Sequence, residues 1–162
     1  MDYLWSPWRY RYLKSGGAPS EDCVFCRIAA ASDDESNLVL TRDDRTFSVL
    51  NLYPYTSGHA MVIPLEHHAT LEETPLETVE EVMRWTRKLE AAIRNVYRPD
   101  GVNIGMNIGK AAGAGVAGHI HMHILPRWSA DSNFITTIGE TRVLPEELPE
   151  TRRRLCEALG RD

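Results

Sequence analysis

The sequence lacks several features that would assign it to a broad class of protein. No run of apolar residues approaches the roughly 18 that a membrane-spanning helix needs, and the first residues contain no apolar stretch of the kind found in signal peptides. An excess of basic charge is also absent, since 18 Lys and Arg against 23 Asp and Glu give a net charge of −5. We therefore expect neither a membrane partner nor long nucleic acid, because binding to the latter usually needs a basic surface.

Cysteine is scarce, and its few copies are arranged informatively. There are three cysteines, two of them in the segment Cys23-Val-Phe-Cys26. An odd number with such close spacing does not suit a disulfide framework, and it predicts a reducing, cytoplasmic location where the thiols are free to bind metal. The acidic net charge does not exclude a small anionic ligand, because backbone N–H groups can hold phosphate.

The length of 162 residues fits one domain. The small-residue segment 15–20 separates an aromatic amino-terminal arm from the cysteine pair. We therefore predict an arm and linker over residues 1–20 and a single domain over residues 21–162.

The pattern of apolar residues and turns predicts an α+β fold. Five strands are predicted, at residues 37–41, 46–52, 59–63, 102–109 and 119–125. Thr74 is predicted to cap a long helix that continues to Tyr97, with Pro75 at its first position. A short helix is predicted near residues 150–159. The short turns between strands favour an antiparallel sheet with the long helix packed on one face.

Two of the predicted strands carry detailed expectations. Residues 102–109 alternate between apolar and polar side chains, which predicts a half-buried strand with Asn103 and Asn107 on its polar face. The last strand is predicted to stop at Pro126.

Three histidines, His119, His121 and His123, alternate in the last predicted strand, so all three should project from one face. A merely polar strand face is disfavoured because three imidazoles crowd one another. Two chemical interpretations remain: a zinc tripod, or a nucleophilic imidazole assisted by the others. The small residues of the preceding loop 113–118, faced by the two asparagines of the neighbouring strand, suit a nucleotide phosphate better than a hydrolytic metal.

The segment His119-Ile-His121-Met-His123-Ile-Leu125 resembles the motif of the histidine-triad nucleotide hydrolases and transferases, and Gly58-His59-Ala-Met-Val-Ile-Pro64 resembles that family's second signature. Further segments resemble the branch of the diadenosine tetraphosphate phosphorylases, also called ATP adenylyltransferases. These are residues 4–7, 51–55, 103–109, 126–128 and 133–135. The resemblance implies a sheet of about five strands per subunit and a homodimer.

The resemblance also implies roles for individual residues. His121 is expected to attack the α-phosphorus of a nucleotide and to form a covalent nucleotidyl-histidine. The other three histidines of the motifs, His59, His119 and His123, are expected to set the tautomer of His121 and to stabilise charge on the phosphate. Asn51 is expected to bind the ribose. The residues expected near the phosphates are Asn103, Asn107, Gly113 and Gly115.

The loop before the three histidines bears on which molecule, phosphate or water, accepts the nucleotidyl group from His121. Many hydrolases of the family have a Gln where this chain has Gly115, and the backbone N–H groups of residues 113–115 are expected to be free to hold an anion. This predicts phosphorolysis of diadenosine tetraphosphate to ATP and ADP. The alternatives are hydrolysis of the same bond or of an adenosine phosphoramidate, a mononuclear zinc hydrolase, and a zinc-stabilised nucleotide-binding signalling or scaffold protein with little turnover.

The cysteine pair resembles that of the zinc-bearing members of the family. In those proteins a histidine after the second signature and the first triad histidine complete the site, which implies one structural zinc per chain held by Cys23, Cys26, His67 and His119. The adjacent His68 leaves open which of the two neighbours binds the metal. If His119 is a zinc ligand, it cannot also move protons.

Overall fold

A computed structural model describes residues 23–129, 131, 138 and 144–160. The predicted arm and linker over residues 1–20, and the segment 133–135, lie outside these residues. The described helices are α1 (Val24–Ala30), α2 (Leu76–Tyr97) and α3 (Leu148–Ala158), with a 3-10 turn at Lys110–Ala112. The strands are β1 (Val39–Arg42), β2 (Thr46–Leu50), β3 (Ala60–Pro64), β4 (Gly101–Gly105) and β5 (Met122–Arg127).

The five strands form one sheet in the order β1-β2-β3-β5-β4, and every neighbouring pair is antiparallel. The predicted α+β fold, with its long helix and its short carboxyl-terminal helix, is confirmed. Helix α1 was not predicted. Its seven residues are too few for helical periodicity to show in the sequence.

The central strands are buried on both faces because helices cover each side. Every residue of β2 and β3 is buried. Val62 faces a core shared with Leu89 of α2 and Leu155 of α3, whereas its neighbours Met61 and Ile63 face a second core. That second core contains Phe25 of α1. Alternation along β3 thus separates an α2 face from an α1 face of the sheet.

The start of α2 differs from the prediction by one position. Pro75 is the cap residue and the helix begins at Leu76. Thr74 does not cap it, since its hydroxyl donates to the Thr70 carbonyl at 2.7 Å. The loop before the helix therefore uses the side chain that the capping pattern assigned to the helix.

Strand β5 begins later and ends later than predicted. It starts at Met122 and continues through Pro126, which pairs with Val102 of β4. The Pro126 carbonyl accepts a hydrogen bond from the Thr56 hydroxyl at 3.1 Å, so the backbone polar groups of this residue face the β3 side of the strand. Pairing with β3 has already ended at Ile124, so no ladder partner needs an N–H there.

Strand β4 is shorter than predicted and is less buried. It ends at Gly105, and Ile104 and Ile108 are 43% and 38% exposed. Its position at the sheet edge explains this, because an edge strand has only one neighbour to cover it.

None of the described helices combines the length and the apolar character that crossing a membrane requires.

Candidate functional site

Four histidines reach the site from two adjacent strands and from the residues just before them. His59 lies immediately before β3, and Met61, two residues later on the same face, pairs with His123 of β5. The ring centroids of His59 and His123 are 5.1 Å apart, and those of His121 and His123 are 4.9 Å apart. The structure therefore brings together three of the four histidines predicted to do the chemistry.

His121 is held so that one ring nitrogen is available as a nucleophile. Its Nδ1–H donates to the backbone carbonyl of His119 at 2.8 Å, which leaves the lone pair on Nε2. Burial lowers the pKa of His121, against the opposing effect of that hydrogen bond. A neutral imidazole with a lone pair on Nε2 is the nucleophilic form.

His59 and His123 form a second pair beside His121. Nε2 of His59 lies 2.9 Å from Nδ1 of His123. Burial, together with the nearby His123 and His121, lowers the pKa of His59 to about 3, so this ring is uncharged near pH 7. The Tyr55 ring packs on His59 with centroids 4.9 Å apart.

The His119 ring lies against the cysteines. Its Nε2–H donates to the Pro64 carbonyl at 2.9 Å, so Nδ1 carries the lone pair and lies 3.5 Å from Sγ of Cys23 and 3.6 Å from Sγ of Cys26. Burial lowers the pKa of His119 to about 4, which keeps the ring in the neutral form that binds metal.

A fourth ligand completes a cluster suited to zinc. Nδ1 of His67 lies 3.2 Å from Sγ of Cys26, and one ligand atom from each of four residues lies within 4.8 Å of the others. Those residues are Cys23, Cys26, His67 and His119. Two thiols and two imidazoles form the donor set of a closed, tetrahedral zinc site. His68 is not a member, and its Nε2 lies 3.2 Å from a Glu66 carboxylate oxygen.

This cluster bears on the tripod alternative. Among the described residues it is the group that could hold a metal ion, and it includes His119 but neither His121 nor His123. The arrangement therefore argues against a metal held by all three triad histidines. Burial and the neighbouring Cys23 raise the pKa of Cys26, as expected for two adjacent thiols.

Arg42 supports the helix that carries the thiols, a role that sequence reasoning missed. Its guanidinium donates to the carbonyls of Ile28, Ala29 and Ala31, each at 2.9 Å, and to Asp34 at 2.7 Å. These carbonyls lie at the carboxyl end and cap of α1, where the last carbonyls of a helix lack the N–H groups of a following turn. The Ile28 carbonyl also accepts the backbone N–H of Ala31 at 3.2 Å. No local pattern in the sequence marks Arg42, because the carbonyls it meets belong to another element.

The predicted substrate residues are distributed unevenly around the histidines. Asn51 lies beside His59, with its Nδ2 3.3 Å from the ring Nδ1. Asn103 is on the exposed edge strand and accepts a hydrogen bond from Arg127 at 2.9 Å. Asn107 is half-buried, with its Nδ2 3.5 Å from the carbonyl of Gly113.

The expectation that the amides of residues 113–115 are all free is wrong. The Gly113 N–H donates to the Lys110 carbonyl at 3.0 Å, and the Ala114 N–H donates to the Gly109 carbonyl at 3.3 Å. The 3-10 turn before the loop uses them, which the small-residue composition did not reveal. Within the described part of the chain, the Gly115 N–H makes no backbone hydrogen bond.

Known proteins resemble this chain in sequence and in fold. Residues 33–130 match the HIT domain family. A protein of Mycobacterium tuberculosis named AP-4-A phosphorylase is 42% identical over 99% of this chain and 86% of its own length. A crystal structure of a Zn-bound histidine triad family protein from Mycobacterium smegmatis has a TM-score of 0.71 and 35% identity, covering 87% of this chain and 95% of that one. A histidine triad nucleotide-binding protein from Sulfolobus tokodaii has a TM-score of 0.69 and 26% identity, covering 85% of this chain and 92% of that one.

Proposed function

Since this chain belongs to the histidine-triad family, we propose that it is an enzyme that cleaves dinucleoside polyphosphates such as diadenosine tetraphosphate at the α-phosphate. The observation that carries the proposal is His121, whose Nδ1–H is anchored on the His119 carbonyl at 2.8 Å so that the Nε2 lone pair faces outward from that bond. The M. tuberculosis relative, by its name, acts on this class of substrate.

The proposed reaction has two steps. In the first, Nε2 of His121 attacks the α-phosphorus, and the bond from phosphorus to the bridging oxygen breaks with its electron pair leaving on ATP. The His121 ring gains positive charge as it becomes adenylylated, and the His119 carbonyl stabilises this charge through the Nδ1–H. In the second step an oxygen of inorganic phosphate attacks the same phosphorus, the phosphorus–nitrogen bond breaks, and ADP and neutral His121 result.

Phosphate rather than water is the proposed acceptor in the second step. Gly115 has no side chain to fix a water molecule against the adduct, whereas many hydrolases of the family have a Gln at that position. A bound phosphate reacts as if intramolecularly, which favours it over an unpositioned water. The relative's name, a phosphorylase, supports the same choice.

The cysteine–histidine cluster is proposed to hold one structural zinc per chain. Bound zinc would cross-link α1 to the segment before β5 and would supply no reacting group. His119 then supports the reaction only through its backbone carbonyl, because both of its ring nitrogens are engaged.

The direct test is to incubate purified protein with diadenosine tetraphosphate, with and without millimolar phosphate, and to identify the products. We expect phosphate to accelerate cleavage and the products to be ATP and ADP. ATP and AMP at a rate independent of phosphate would identify a hydrolase. Tight nucleotide binding without cleavage would instead favour the signalling or scaffold alternative.

A further inference from the structure

The hydrogen bonds around His59 determine which of its ring nitrogens carries the proton. The backbone N–H of Tyr55 lies 3.2 Å from Nδ1 of His59, and a backbone N–H can only donate. Nδ1 of His59 is therefore an acceptor. Because this buried ring is neutral near pH 7, its single proton is on Nε2.

The proton on His59 in turn determines the tautomer of His123. Nε2 of His59 lies 2.9 Å from Nδ1 of His123. Since Nε2 of His59 carries the proton, it donates, and Nδ1 of His123 accepts. A neutral His123 then has its own proton on Nε2. The neighbouring His121 is in the opposite state, with its proton on Nδ1.

The loop of residues 51–59 places the Tyr55 N–H, and Asn51 closes that loop. The Asn51 backbone N–H donates to the His59 carbonyl at 2.9 Å, and its side-chain Oδ1 accepts the Tyr53 N–H at 2.9 Å. Its Nδ2 lies 3.3 Å and 3.4 Å from the two ring nitrogens of His59. Such nearly equal distances place the amide against the ring rather than in line with one nitrogen.

We propose that Asn51 is a positioning residue that acts through the 51–59 loop and His59 to keep His123 protonated on Nε2. Two adjacent imidazoles then present complementary groups, a lone pair on His121 that attacks phosphorus and an N–H on His123 that donates to a phosphate oxygen. No proton is transferred in this role, because the N–H stabilises developing charge as a fixed donor. The choice of phosphate as the group being met rests on the proposed function, and the role adds to the ribose contact expected of Asn51.

The tautomers are tested by ¹⁵N NMR of the full chain labelled at histidine, near pH 7 and without nucleotide. Protonated and unprotonated ring nitrogens have well-separated ¹⁵N shifts. We expect Nε2 to be the protonated nitrogen in both His59 and His123, and we expect Asn51→Ala to move both spectra towards a mixture of tautomers. Asn95→Ala, at an exposed position on α2, is the matched control and should leave them unchanged.

Two NMR results would overturn the proposal: a wild-type His123 protonated on Nδ1, or Asn51→Ala spectra identical to wild type. Asn51→Ser is the second variant, since its hydroxyl can still accept the Tyr53 N–H, and it should shift the spectra less than Asn51→Ala does. The wild-type spectrum decides the tautomers even where a variant does not fold. Because no nucleotide is present, these results are independent of whether the protein cleaves diadenosine tetraphosphate.

Kinetics separate positioning from ribose binding. We expect Asn51→Ala to lower kcat about tenfold, a part of the hundredfold or more that one fixed donor contributes. The loss should persist with a substrate whose riboses lack the 2′ and 3′ hydroxyls. If the loss disappears with that substrate, Asn51 acts on the ribose alone and the positioning role is wrong.

Discussion

At the scale of single residues, the backbone of one histidine governs the side chain of another. The His119 carbonyl holds Nδ1–H of His121, while the His119 ring is committed to the Pro64 carbonyl and to the thiol side. Because the His119 ring and the His119 carbonyl have different partners, this one residue can belong to both the proposed zinc site and the reaction site. His119 can therefore bind metal without taking the nucleophile's place.

Replacing His121 should separate binding from chemistry. We expect His121→Ala to abolish turnover while the nucleotide Kd changes by no more than about tenfold, roughly 1.4 kcal/mol. The reason is that a nucleophile contributes to the transition state more than to the bound ground state. Calorimetric titration with a nucleotide and product analysis measure the two effects. Turnover within a few-fold of wild type would exclude the covalent route.

Replacing Gly115 should alter the choice of acceptor. Gly115 is not among the glycines with positive φ angles, so the backbone can accept a side chain there. We expect Gly115→Gln to slow phosphorolysis and to raise hydrolysis, because an amide can position water where the loop now has none. The ratio of AMP to ADP at fixed phosphate measures this. An unchanged ratio would show that the loop does not select the acceptor.

At the scale of secondary-structure elements, α1 matters because it is short and carries the thiol pair. Seven residues do not form a stable helix in isolation, so its conformation depends on tertiary contacts. Arg42 of β1 supplies three of them at the carbonyl end of the helix, and Phe25 of the helix packs in the core. Zinc bound at the cluster would add a covalent connection from α1 to His119.

Metal analysis tests this arrangement. Protein that has never met a chelator should hold one zinc per chain, and His67→Ala should lose most of it because three ligands remain. His68→Ala is the matched control and should retain the metal, since His68 contacts Glu66 instead. Cys23→Ser should lower Tm clearly, whereas it should lower the rate of nucleotide cleavage at moderate temperature only slightly. Zinc-free wild-type protein, or equal loss in both histidine variants, would contradict the assignment.

Glu146 joins the ends of α2 and α3. It accepts hydrogen bonds from Tyr97 at 2.5 Å and Thr151 at 2.7 Å, and it forms an ion pair with Arg154. Its partial burial acts to raise its pKa, but the donations from these three residues outweigh that effect, so the pKa lies below its ordinary value. The ionised carboxylate therefore stabilises the folded protein.

This direction predicts how stability depends on pH. A carboxyl group with a lowered folded-state pKa contributes stability that is present above its ordinary pKa, about 4.3, and is lost as the pH falls through the folded-state value. We expect Glu146→Gln to lower the free energy of unfolding by about 2 kcal/mol near pH 7, and by less near pH 3. Glu147→Gln, whose side chain makes no cap hydrogen bond, should have little effect. Chemical denaturation at both pH values provides the measurement, and a difference independent of pH would refute the assignment.

At the scale of the whole molecule, the sheet ends in an uncovered strand. β4 is the last strand in the order and carries the exposed side chain of Ile104, 43% accessible. An edge strand of this kind is a template for pairing with another chain. The homodimer implied by the family resemblance would place a second copy here.

Sedimentation tests the dimer. We expect sedimentation to give wild type a mass of twice the 18.3 kDa of one chain. Ile104→Lys should have the mass of one chain, because a charge on the edge strand opposes pairing. Leu76→Lys, which changes an exposed apolar residue of α2 instead, should remain dimeric. A monomeric wild type, or a dimeric Ile104→Lys, would show that copies do not join along β4.

Local patterns in the sequence were sufficient to predict the described elements other than α1 and the 3-10 turn. Strand alternation and helical periodicity depend on residues a few positions apart, so the five strands, α2 and α3 were all predicted. Alternation also indicated that His121 and His123 lie close together, as their rings do. The same local information overestimated the length of β4 and assigned the cap of α2 to Thr74. Both errors arise from the folded surroundings, since β4 lies at the sheet edge and the Thr74 hydroxyl donates to the Thr70 carbonyl.

The tertiary structure alone decided how those residues are connected. Cys23 and His119 are 96 residues apart in the chain, yet their ligand atoms are 3.5 Å apart, and the choice of His67 over His68 depends on which ring reaches Cys26. The tautomers of His59 and His121 depend on a backbone amide and a carbonyl that no motif specifies. The amino-acid sequence by itself placed histidines and cysteines in its motifs. The folded backbone decided which of them come together and which ring nitrogen of His59 and His121 carries the proton, because both depend on the three-dimensional path of the chain.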